Sequence, residues 1–276
     1  SWGKIKKNLL FNGNHEGDLS DFDKYLDLHR YKFSCDNYEM GGYSIIKNKN
    51  IIIAMDIGLS PDKKYSENYQ SGPLSFEVFF KDNKLISNSG YFQDYQHQLN
   101  RISKSTAAHS TLVLNNSSAC NFKKIKKGPN IINKGFKTFN KNIVYEKNYW
   151  RIKCSHDGYL SNYGVIHERI LEFYPEINKI VGKDKIIKKK NFKSSSFEIR
   201  FHLMPTTKVT KTQDNKMVLI ELENSGWRFH SNNGLIDVET GLYFGKKNIF
   251  RENQNIFISG ITQNEDQLIE WEISKI

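Results

Sequence analysis

From residue 41 to the C-terminus the chain is a succession of short apolar or alternating runs broken by Asn, Gly, Asp and Ser. That is the pattern of strands joined by turns. Residues 43–46 and 51–55 flank Lys47-Asn48-Lys49-Asn50 and predict a hairpin, as do 74–80 and 84–88 around Lys81-Asp82-Asn83. Further strands are predicted over 111–114, 149–154, 165–173, 179–181, 197–203 and 217–222. The meander continues through 227–230, 234–238, 241–244, 255–260 and 268–273. Alternation is clearest from Phe197 onward, where Phe197, Ile199, Phe201 and Leu203 fall on one face.

Helical periodicity is confined to the start of the chain, over 2–10 and over 19–28 behind Asp18 or Ser20 as N-caps. Many strands without helices between them predict an all-β fold, two packed antiparallel sheets or a closed barrel. The expectation is a large antiparallel β-sandwich with a short helical N-terminal segment. Residues 123–142, rich in Lys, Asn and Gly, read as a long loop excursion. No repeat of fixed period and no linker divides the sandwich.

A length of 276 residues suffices for one sizeable core, and 13% aromatic content argues against disorder. No run approaches the roughly 18 apolar residues of a membrane helix, so no membrane span is expected. Cys35, Cys120 and Cys154 are odd in number and lack CxxC or CxH spacing. They read as small core residues, not as a disulfide framework or zinc knot.

The net charge of +11 admits nucleic acid, an acidic polysaccharide, or no specific partner. Its lysine runs, Lys123-Lys124-Ile125-Lys126-Lys127 and Lys188-Lys189-Lys190, lie in expected loops, and the wealth of Asn and Ile fits an AT-rich coding bias. No helix-turn-helix, zinc finger or RNP-like aromatic strand accompanies the charge, so nucleic acid is not expected.

Three segments are more specific than a generic sandwich needs. They are Tyr69-Gln70-Ser71-Gly72-Pro73-Leu74-Ser75-Phe76-Glu77, Ser87-Asn88-Ser89-Gly90-Tyr91, and Arg101-Ile102-Ser103-Lys104-Ser105-Thr106-Ala107-Ala108-His109-Ser110-Thr111. Ser155-His156-Asp157-Gly158-Tyr159, Gly164-Val165-Ile166-His167-Glu168-Arg169, Arg200-Phe201-His202-Leu203-Met204-Pro205 and Gly226-Trp227-Arg228-Phe229 follow in order. In order and spacing the set resembles the C-terminal sandwich of the heparinase II/III family of polysaccharide lyases. Leu10-Phe11-Asn12-Gly13 resembles the connection that leaves the family's helical toroid.

The resemblance implies a supersandwich-like domain over 31–276 and, over 1–30, a helical connection from an N-terminal toroid that this sequence does not include. It implies β-elimination on a uronate-containing polysaccharide, with the principal Tyr and its partners in the toroid and the sandwich forming one wall of the cleft. A base removes the C5 proton, the uronate carboxylate is neutralised, and an acid protonates the departing glycosidic oxygen. The implied partners are an acidic polysaccharide, such as a glycosaminoglycan, and the toroid of the same protein. The implied location is the periplasm or cell envelope, with the cytoplasm left open. A non-catalytic module that binds glycans or supports its neighbour is the alternative.

In metal-containing relatives the sandwich holds zinc through a loop His, a carboxylate and a later His. Here those positions are Gln70, Asn88 and His109, and neutral amides are poor zinc ligands, so no cofactor is expected. His109 is the candidate catalytic residue, or else a hydrogen-bonded tie between loops. Gln70, Asn88, Arg101, His156 and Tyr159 are the candidate substrate-binding residues. Arg101 could instead serve a structural ion pair or a solvated surface role, and His156 with Tyr159 a turn built on Asp157-Gly158. Tyr91, Phe92 and Tyr95 could stack on sugar rings or pack inside. His167, His202 and His230 are expected as satisfied sheet residues.

Overall fold

A computed structural model describes Leu28 and residues 39–276, apart from Asp82, Lys127, Asn233, Gly234 and Lys247. The expected helices over 2–10 and 19–28, the connection over 1–30 and Cys35 lie outside the described residues, Leu28 excepted. The rest is an antiparallel all-β sandwich built on three sheets and a hairpin.

A five-stranded sheet runs in sequence order through β1 (Glu39–Met40), β2 (Tyr43–Lys47), β3 (Ile51–Asp56), β4 (Phe76–Phe80) and β5 (Asn83–Ile86). The polypeptide then forms a short helix, α1 (Gln98–Lys104), capped by His97, whose side chain accepts from the Leu99 N–H. Strand β6 (Leu112–Leu114) joins a four-stranded sheet, ordered β17-β18-β13-β6, with β13 (Ser196–His202), β17 (Leu235–Lys246) and β18 (Ile249–Ile261). The remaining long strands make an eight-stranded sheet. These are β9 (Thr138–Tyr145), β10 (Trp150–His156), β11 (Val165–Tyr174), β12 (Lys179–Lys188), β14 (Lys208–Lys211), β15 (Met217–Leu222), β16 (Ser225–Ser231) and β19 (Gln267–Lys275). Their order is β14-β15-β16-β19-β12-β11-β10-β9.

The core is aromatic where the sheets meet. Phe76 on β4 stacks on Trp271 of β19 at 5.4 Å, Phe80 meets Trp227 of β16 edge-on at 5.0 Å, and Phe201 of β13 touches both Phe76 and Trp271. The alternation read in β13 is borne out, since Phe197, Ile199 and Phe201 are all buried.

Two expectations need correction. Residues 123–142 are not one long loop: they contain most of a hairpin, β7 (Asn121–Lys124) with β8 (Asn130–Lys134), and the start of β9. Its exposed lysines hid the alternation, because a solvated hairpin needs only a few buried residues, here Ile132. The strands expected over 234–238 and 241–244 are, from Leu235 onward, one strand, β17, since Gly241 continues the ladder opposite Asn253 instead of turning. The two described cysteines, Cys120 and Cys154, are buried and unbridged.

Candidate functional site: a cavity on the outer face of the five-stranded sheet

Side chains alternate across a strand, so register decides which of them meet. Tyr43 on β2 lies opposite Asp56 on β3, and Ala54 lies opposite Glu77 on β4. By the same parity these four share one face with Ile45, Ile52 and Phe79, which form a small apolar cluster with Ala54. The other face carries Ile53, Met55, Phe76 and Val78 into the main core. Ala54, a single methyl in a run of Ile and Met, leaves room on the outer face. There a cavity of about 120 Å³ opens, lined by Tyr43, Ala54, Asp56, Gln70, Ser75, Glu77, Asn88, Gly90, Tyr91 and His109.

Gln70, Asn88 and His109, distant in sequence, thus converge on one cavity. Asn88 accepts from the Ser110 N–H through Oδ1 at 2.8 Å and donates through Nδ2 to Glu77 Oε1 at 3.2 Å. The Asn88 backbone N–H donates to the same Glu77 oxygen at 3.2 Å. Lys84 Nζ stands 2.7 Å from Glu77 Oε2, with both side chains largely withdrawn from solvent. Burial raises the Glu77 pKa and lowers that of Lys84, and in each case the partner's charge opposes the shift.

His109 donates from Nδ1 to the Ser105 carbonyl at 2.9 Å, which leaves Nε2 as the ring's lone-pair nitrogen. Burial holds this imidazole neutral by pushing its pKa down to about 4. Gly72 makes room for the ring, because a Cβ there would sit 2.5 Å from His109 Cδ2. Asp56 accepts from the Gly58 N–H at 2.9 Å, and burial lifts its pKa to about 7. The carboxyl of Asp56, with burial and Glu77, raises the pKa of Tyr43 across the ladder. Tyr91 accepts from Asn100 Nδ2 at 3.1 Å and donates to Asn68 Oδ1 at 3.2 Å.

A buried polar chain lies beneath. The Gly158 N–H donates to His156 Nδ1, so His156 donates from Nε2 to His167 Nδ1 at 3.2 Å, and His167 donates from Nε2 to Asp184 Oδ1 at 2.7 Å. Burial is the main reason that the pKa values of both rings are lowered, which favours their neutral forms. Arg169 and Trp271 also donate to Asp184, saturating its carboxylate. The remaining Arg169 nitrogen, Nη1, donates upward to the carbonyls of Leu74 (2.9 Å) and Ser110 (2.7 Å). Leu74 has φ 57°, a left-handed conformation that costs a non-glycine residue about 1–3 kcal/mol. Arg169 therefore ties together the two segments that carry Ser75, Glu77 and His109.

The other sequence candidates fall elsewhere. His156 and Tyr159 are in the core: His156 belongs to the buried chain, and Tyr159 donates to the Leu112 carbonyl at 2.9 Å. Their polar atoms serve the fold, so neither faces the cavity. Arg101 is exposed on α1 and does not line the cavity, since the helix turns it to solvent. His202 is a satisfied sheet residue, bonded to Ser89 Oγ and the Ala107 carbonyl. Of the aromatic candidates only Tyr91 reaches the cavity; Phe92 packs on Phe244, and Tyr95 is exposed.

Sequence reasoning missed Tyr43, Asp56 and the role of Glu77. An acid ending the apolar run 51–55 was the available signal. It also missed Asp184, although alternation in β12 places it inside with Ile180 and Ile186, where an acid requires a partner. Asn88 is engaged through both ends of its amide, and among the described residues no three His, Cys, Asp or Glu side chains form a group that could hold a metal ion.

Residues 34–272 match the family described as Heparinase II/III-like, C-terminal. Among solved structures, the heparan sulfate lyase HepC from Pedobacter heparinus superposes with a TM-score of 0.73 at 13% identity, over 93% of this chain and 41% of that one. A crystal structure of heparinase III gives 0.67 at 15% identity, over 98% of this chain and 42% of that one. The chain thus spans about two fifths of the length of these structures. No curated protein sequence matches. With the fold shared and most of the chain matched, this protein belongs to the heparinase II/III-like C-terminal family.

Proposed function

We propose that this domain forms one wall of a cleft that binds an acidic, uronate-containing polysaccharide for β-elimination, the cleft being completed by a helical toroid of the same protein. The observation that carries this reading is the meeting of the three ordered motifs, through Gln70, Asn88 and His109, on one cavity in a member of this family. The cavity's size supports a wall instead of a whole site. At about 120 Å³ it is well below the roughly 300–1,000 Å³ of a small-molecule pocket, so it accepts an edge of a sugar and not a whole unit.

In the proposed reaction the C5 proton passes to a base and the C4–O4 bond breaks. A C4–C5 double bond forms, and a proton is delivered to the leaving oxygen. His109 is this domain's candidate catalytic group. Its neutral Nε2 can accept a hydrogen bond or a proton, and Nδ1–H to Ser105 fixes its tautomer. A base of such low pKa holds a proton only briefly at neutral pH. The principal acid–base pair is accordingly assigned to the toroid. The periplasm or cell envelope is the proposed location. Among the described residues no helix is long and apolar enough to cross a membrane.

The test is the ultraviolet absorbance of unsaturated uronate released by the full-length protein from acidic glycans. Product that vanishes when the toroid is deleted supports the reading. A second reading, a non-catalytic glycan-binding or structural module, is favoured by the internal hydrogen bonds that engage Asn88. Binding retained with no product from any uronate glycan would select it.

A further inference from the structure

Resting on the cleft-wall reading, we infer that the sugar edge entering this cavity presents hydrogen-bond donors, hydroxyl or amino groups, and that the substrate's acidic group is held elsewhere. The charges around the cavity carry the argument. The charged residues of its lining are two carboxylates, Asp56 and Glu77. Lys84, beside Glu77, is 4% exposed and engaged with Glu77 Oε2, and Lys141, whose charge acts on Asp56, is engaged with Glu39 Oε1. Arg169 is fully buried and holds Asp184, the Leu74 carbonyl and the Ser110 carbonyl. Arg101 is turned to solvent on α1. Among the described residues no lysine or arginine lines the cavity to receive a carboxylate or sulfate.

Acceptors, by contrast, are in place. Asp56 uses one lone pair on the Gly58 N–H and keeps the rest of its carboxylate capacity. His109 is 6% exposed, lines the cavity, and has its Nε2 lone pair uncommitted after Nδ1 binds Ser105. Gln70, also in the lining, has an amide that can accept through its carbonyl oxygen. An incoming anion would meet the Asp56 carboxyl, whose pKa burial lifts to about 7, and no cation in the lining, whereas a hydroxyl or ammonium group meets acceptors in a partly desolvated site, where electrostatic contacts are strong.

Saturation-transfer NMR on the full-length protein with glucose, glucosamine and glucuronate as separate probes tests this. Ala54→Leu fills the cavity, and Asp56→Asn keeps the Gly58 contact while removing the acceptor charge; melting curves verify that both variants fold. Glucose or glucosamine should give a signal that Ala54→Leu abolishes and Asp56→Asn cuts several-fold, with glucuronate unaffected by either change. If Ala54→Leu does not fold, Asp56→Asn alone decides. A glucuronate signal that exceeds the others and disappears with the cavity overturns the inference, as does the absence of any cavity-dependent signal from glucose and glucosamine. The uronate-product assay, run in parallel, separates this failure from failure of the lyase reading: product with a glucuronate-selective cavity sinks only the inference.

Discussion

Arg169 holds Asp184 in a two-pronged ion pair, Nε to Oδ1 at 2.7 Å and Nη2 to Oδ2 at 3.1 Å, sealed inside the sandwich. The two residues face each other across the β11–β12 ladder, and the guanidinium also lies 5.3 Å from the centre of the Phe76 ring. The Asp184 carboxyl is held below the usual carboxylate range by Arg169 and His167, which outweigh the opposing effect of burial.

Arg169→Met would leave Asp184 buried without its cation, and breaking such a pair costs about 3–5 kcal/mol. Urea unfolding should show that loss. Arg169→Met combined with Asp184→Leu should recover only part of it, since no counter-charge is then needed but His167 Nε2–H and Trp271 Nε1–H lose their acceptor. Cavity binding should stay weak in the double variant, because the Leu74 and Ser110 carbonyls still lack their donor. Full recovery of binding would show that Arg169 does not position the cavity.

Asn88→Asp places a second carboxylate about 3.2 Å from Glu77 and removes the Nδ2–H donor. Losing that buried contact is worth about 1–3 kcal/mol, so the melting temperature should fall. Added zinc is expected not to restore it, because Glu77 is already held by Lys84 and position 70 supplies only a neutral amide. A zinc-dependent rise in melting temperature would contradict that account.

Acid should unfold the protein early. His109, His156, His167 and His202 all have folded pKa values below the ordinary 6.5, chiefly through burial. The unfolded chain therefore binds more protons once the pH drops below 6.5, and stability falls with pH down towards about 4, where folded His109 titrates. Each such histidine contributes up to about 1.4 kcal/mol per pH unit in that window. Asp56 acts oppositely. With its folded pKa raised to about 7, stability from this group rises as pH falls from 7 towards 4. Asp56→Asn should then steepen the acid loss. Denaturant midpoints measured from pH 7.5 to 4.5 check both signs.

Two glycines separate fold from site. A Cβ at Gly182 would sit 2.0 Å from Trp271 Cζ2, against the aromatic core, so Gly182→Ala should destabilise by at least the roughly 1–3 kcal/mol of core overpacking. Gly72→Ala should instead displace the His109 ring, shifting its NMR signals and weakening glycan binding with a smaller change in unfolding midpoint.

The sequence alone determined the β class, the hairpins at the start of the five-stranded sheet and the inward set of β13. Alternation is a property of each strand's own backbone, so Phe197, Ile199 and Phe201 declare their face without reference to any partner. It also carried the family, through motifs whose order survives in one dimension. It did not determine which motif residues meet. Gln70, Asn88 and His109 share a cavity, while His156 and Tyr159, in motifs of the same quality, lie in the core. Nor could it pair Tyr43 with Asp56, Ala54 with Glu77, or Arg169 with Asp184. Those meetings follow from register between strands, where a shift of one residue would carry each side chain to the opposite face. Long-range ladder pairing decides register, and only the tertiary structure contains it.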